Sequence, residues 1–72
     1  MKVNYDEEAD AIYIQLTDDI PEGVIEVKEG VNIDITKEDV VVGIELLNAS
    51  KKLSLKSFFS YEISPDFLNK AI

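Results

Sequence analysis

The 72 residues suffice for one small domain, residues 1–72, and are too few for a second core or a separate catalytic lobe. With no Cys there is no disulfide framework, thiolate metal site or thiol nucleophile, and with no His the usual neutral-pH proton shuttle and commonest metal ligand are missing. Fifteen acids against seven bases, every base a Lys, give a net charge of −8 and argue against a nucleic-acid ligand.

Period-two alternation of apolar and polar residues dominates the chain up to residue 47, the pattern of half-buried antiparallel strands. It predicts strands at Lys2–Tyr5, Ala11–Leu16, Val24–Lys28, Val31–Ile35 and Val40–Leu47. In the second, Ile12, Ile14 and Leu16 share one face; in the fourth, Val31, Ile33 and Ile35 do; in the fifth, Val40, Val42, Ile44 and Leu46 do. Ile12, Ile14, Ile33, Ile35, Val42, Ile44 and Leu46 are therefore the expected sheet core. The connections are short, which makes a meander the economical topology, and Gly30 supplies the positive φ that the tight Glu29-Gly30 turn requires.

After Leu47 the pattern changes. Asn48 or Ser50 can cap a short helix near 49–57, although Leu53, Leu55, Phe59, Tyr61 and Ile63 also alternate like a strand. At Ser64-Pro65-Asp66 a capping Ser, a Pro at the first helical position and an acid in the first turn predict a helix carrying Phe67, Leu68, Ala71 and Ile72. The expected fold is α+β, an antiparallel sheet of about five strands with C-terminal helix packed on one face. Phe58, Phe59 and Phe67 lie in a segment of little charge, either covering the sheet of their own chain or forming a contact with a second copy.

Three acidic features bear on chemistry. Asp6-Glu7-Glu8-Ala9-Asp10 crowds four carboxylates into five residues, but it lacks the alternating ligands and central Gly of a calcium loop. The simpler reading has Asp6 and Asp10 accepting backbone N–H groups to close a turn. Asp34, Asn32 and Glu45 project from neighbouring strands onto the polar face, where they can approach each other and Tyr13. Asp18-Asp19 reads as loop. No Gly-rich phosphate cradle or soft-metal site is present, so neither a cofactor nor a metal is expected. Charge is also divided along the chain: residues 1–47 hold thirteen acids and three Lys, a balance of −10, whereas residues 48–72 stand at +2.

The segment YDEEADAIYIQL at residues 5–16 resembles the opening signature of the prokaryotic domain-of-unknown-function family numbered 2283. Gly30-Val31-Asn32-Ile33-Asp34 resembles the family's central Asp-bearing strand, and VVGIELLNAS at residues 41–50 its Val-Gly-Ile-Glu strand, with Asn48 where many members carry Asp. The resemblance spans roughly residues 3–53. It implies a compact sheet with helical packing and carries no assigned activity, substrate or cofactor. Some relatives sit beside small toxin-like proteins, so an antitoxin-like role is one expectation of the resemblance.

The leading expectation is a cytoplasmic, non-enzymatic protein-interaction module that forms a homodimer and accepts a protein partner, without nucleic acid or membrane. Its interface residues are Phe58, Phe59 and Phe67. The alternative is a small-ligand or divalent-cation site built from Tyr5, Asp6, Asp10, Asp34 and Glu45.

Overall fold

A computed structural model describes residues 1–60. Five strands precede two helices of one turn each: β1 (Lys2–Asp6), β2 (Ala11–Gln15), β3 (Gly23–Lys28), β4 (Val31–Ile35), β5 (Val41–Leu47), α1 (Ala49–Lys52) and α2 (Leu55–Phe58). Every neighbouring pair of strands is antiparallel. The α+β class and the five-stranded antiparallel sheet agree with the alternation in the sequence.

The sheet order is β1-β2-β5-β4-β3. The meander thus comes in two pieces, the hairpin β1-β2 and the run β3-β4-β5, laid side by side so that β5 pairs with β2. Residues 16–22 connect them by carrying the chain from β2 to the far edge. That span is three strand spacings, about 14 Å, well within the roughly 23 Å that seven extended residues reach. This order puts the most apolar strand, β5 (VVGIELL), in the centre, where both of its backbone edges are paired.

The registers fix the two faces. Val3 lies opposite Ile14 and Tyr5 opposite Ile12; Ile12 and Ile14 face Leu46 and Ile44; Ile44 faces Ile33, and Ile33 faces Ile25. Directly opposed residues share a face, so these side chains form one apolar surface. Ile12 is fully buried and Val42 nearly so, whereas Ile14, Ile33, Ile35, Ile44 and Leu46 are half-buried. Val3, Ile25 and Val27 are exposed.

The helix expected near 49–57 is interrupted. Leu53 is extended at φ −152° and ψ 162°, and the Ser54 side chain then accepts the Ser57 N–H to start α2. The helix expected from Ser64, together with Phe67, lies outside the described residues. Gly30 takes φ 75° in the two-residue turn between β3 and β4, and its carbonyl accepts the Leu47 N–H at 2.8 Å. Among the described residues no helix is long and apolar enough to cross a membrane.

Candidate functional site

The acidic loop between β1 and β2 is built by hydrogen bonds to its own backbone. Asp6 Oδ1 accepts the Ala9 N–H at 3.1 Å, and Asp10 adopts a left-handed φ of 50° that turns the chain into β2. From there Asp10 reaches forty residues ahead. Its carbonyl accepts the Ala49 N–H at 2.8 Å, Oδ1 accepts the Ser50 N–H at 3.1 Å, and Oδ2 accepts the Ser50 hydroxyl at 2.7 Å.

Helix α1 therefore has its first N–H groups capped from another part of the chain. Asn48, at the usual capping position, is left-handed at φ 52° and makes no side-chain cap. The Tyr5 hydroxyl donates to Asp10 Oδ1 at 2.9 Å and completes a Tyr5–Asp10–Ser50 clamp that ties β1, the loop and α1 together.

The Ser50 hydroxyl is the main cause that holds the Asp10 carboxyl below its ordinary 3.8; the Ser50 N–H, Tyr5 and Lys51 act in the same direction, against desolvation. A carboxyl with a depressed folded-state pKa contributes stability that is present above the unfolded value and is lost as pH falls through the folded one. Asp10→Asn is thus expected to be less stable than the wild type at neutral pH, with the gap narrowing below about pH 3.8 as the wild-type carboxylate protonates. Urea midpoints at neutral pH and at about pH 3 check this. An equal gap at both would show that the Asp10 charge is irrelevant.

A second group of residues lies on the polar face. Tyr13 on β2 is opposite Glu45 on β5, and Glu45 is opposite Asn32 on β4. The Asn32 amide donates to Glu45 Oε1 at 3.1 Å. The Tyr13 ring crosses β5 above Gly43, and its hydroxyl donates to Asp34 Oδ2 at 2.8 Å. A side chain at position 43 would occupy that crossing: a Cβ built there overlaps the Tyr13 hydroxyl and comes within 2.5 Å of Cζ. The hydrogen bond to Asp34 is the main cause that raises the Tyr13 phenol above its ordinary 10.0, with desolvation and the charges of Asp34 and Glu45 adding to it. Tyr5 is raised likewise, chiefly by its hydrogen bond to Asp10.

The five ligand-site candidates consequently fall into separate places. Tyr5 and Asp10 join Ser50 at one end of the sheet; Asp34 and Glu45 meet Tyr13 and Asn32 on the polar face; Asp6 closes its own turn. Among the described residues no three acids form a group able to hold a metal ion. Gly43 was not legible as part of this arrangement, although a lone Gly inside an apolar strand is a sign that something approaches closely.

On the opposite face, Met1, Val3, Ile14, Phe58 and Phe59 line an apolar groove of about 430 Å³. The two Phe rings pack edge to face, centroids 5.2 Å apart and planes at 73°. Phe58 is half-buried and Phe59 is 59% exposed. α2 thus brings these rings beside Val3 of β1 and Ile14 of β2.

A family profile described as Protein of unknown function (DUF2283) matches residues 2–50. No curated protein and no solved structure matches the chain.

Proposed function

Because the chain belongs to the DUF2283 family of proteins of unknown function, for which chemistry must be argued from the site itself, we propose that it is a non-enzymatic protein-interaction module that pairs with a second copy of itself through the apolar face. The groove lined by Met1, Val3, Ile14, Phe58 and Phe59 carries this reading. An aromatic pair beside a sheet face that no other described segment covers is the kind of anchor on which interfaces depend. A twofold arrangement buries the same patch on both copies. Residues 48–60 carry Lys51, Lys52 and Lys56 and no acid, whereas the sheet is strongly acidic, so apposition also brings opposite charges together.

Catalysis by the polar groups is disfavoured on physical grounds. A general acid or base works best with a pKa near the operating pH. Here Asp10 moves down, and Tyr5 and Tyr13 move up, all away from neutrality. The small-ligand or cation alternative is weakened in the same way, since Asp10, Asp34 and Glu45 each already accept hydrogen bonds from the protein.

Light scattering coupled to size-exclusion chromatography tests the proposal. The wild type is expected at twice the 8.1 kDa chain mass at tens of micromolar, and Phe59→Asp at the mass of one chain. A wild type that stays at 8.1 kDa as concentration rises would overturn it.

A further inference from the structure

β3 is one edge of the sheet, and its outer backbone has no strand beside it among the described residues. Its three β-branched residues are all exposed: Val24 at 64%, Ile25 at 48% and Val27 at 54%. Natural edges are blunted by charges, bulges or covering segments, because a free row of N–H and C=O groups pairs with any suitable strand. β3 has a bulge between Glu26 and Lys28. The bulge guards only its far end and leaves Gly23–Glu26 in regular register with β4. At the other edge, β1 presents Lys2 and Asn4 on the polar face, opposite Gln15 and Tyr13, so it does not attract a basic strand there.

We infer that the Gly23–Glu26 edge of β3 is a strand-addition site for an extended peptide that alternates basic and β-branched apolar residues. The charge of the edge selects that partner. Glu26 lies on the polar face of the edge strand itself, so a basic side chain arriving on that face meets Glu26, whereas Asp34 lies one strand further in, opposite Val24, and already accepts the Tyr13 hydroxyl. On the other face Ile25 sits beside Ile33, and an apolar side chain of the added strand extends that surface. Main-chain hydrogen bonds then supply affinity, and the alternating side chains supply selectivity. A second copy's β3 suits the edge less well, because it brings Glu22, Glu26 and Glu29 with Lys28 as its only base.

The probe is a short capped peptide of alternating lysine and valine, titrated into isotope-labelled protein and followed by amide chemical shifts. The control is the same peptide methylated at every backbone nitrogen, which keeps the charges and side chains and removes the N–H donors. Saturable shifts confined to residues 22–28 are expected with the first peptide and not with the second, together with at least a tenfold weakening in Glu26→Lys. Equal binding of both peptides would reduce the effect to net charge and overturn the inference. So would shifts centred on β1 or the groove, no shifts at all, or β3 amides that respond to dilution of the protein alone, which would mean that a second copy occupies the edge. The same titration in Phe59→Asp separates this site from the apolar face, since peptide binding there should be unchanged.

Discussion

Ile12→Ala is expected to cost about 2–5 kcal/mol, which is enough to unfold much of so small a domain. Ile12 is the one large side chain completely removed from solvent among the described residues. It sits between Tyr5 on β1 and Leu46 on β5, so its removal opens a cavity bounded by three strands. Ile25→Ala, at the β3 edge of the same face and outside the groove, is the matched control and should cost well under half as much, because Ile25 is already 48% exposed. Urea denaturation of both variants is the measurement. Equal losses would show that the core is centred elsewhere.

Gly43→Ala is the second large effect. The added methyl group meets the Tyr13 ring and also comes within 3.0 Å of the Ile14 carbonyl oxygen, which the central pairing of β5 with β2 holds in place. Overpacking of this kind costs about 1–3 kcal/mol, and displacing the ring also breaks the bond to Asp34. Two observations distinguish this cause from a general loss of strand propensity. The Tyr13 titration, followed by its own ring resonances so that Tyr5 and Tyr61 do not overlap it, should return toward 10.0 in the variant. In a Tyr13→Ala background the added cost of Gly43→Ala should shrink, a coupling that a double-mutant cycle measures directly. Independent, additive losses would mean that the ring does not require the glycine.

Local alternation was sufficient for the strands and their faces, because a period of two is a property of each segment taken alone. Ile12, Ile14, Val42, Ile44 and Leu46 all share the face that the parity of the sequence assigns to them. Strand order is a different matter. β5 alternates identically whether its neighbour is β4 alone or β4 and β2 together, so nothing within residues 41–47 announces the pairing with β2. The clamp was hidden for the same reason: Asp10 and Ser50 are forty positions apart and meet only once β2 and β5 lie side by side. The acids themselves were visible as a cluster in sequence. Their separation into a turn, a clamp and a polar-face pair follows from parity, since Tyr5 shares the face of Ile12 while Asp34 shares that of Gly43. Asp6 closing its own turn onto Ala9, by contrast, is local chemistry and was legible.

The proposed pairing of two copies through the apolar face is tested most directly with a mixed sample of labelled and unlabelled chains. Isotope-filtered nuclear Overhauser spectra should show cross-chain contacts from the ring protons of Phe58 and Phe59 to apolar side chains of the same patch, Val3 and Ile14 among them. Spectra in which these rings contact only their own chain, at concentrations of tens of micromolar and above, would contradict it.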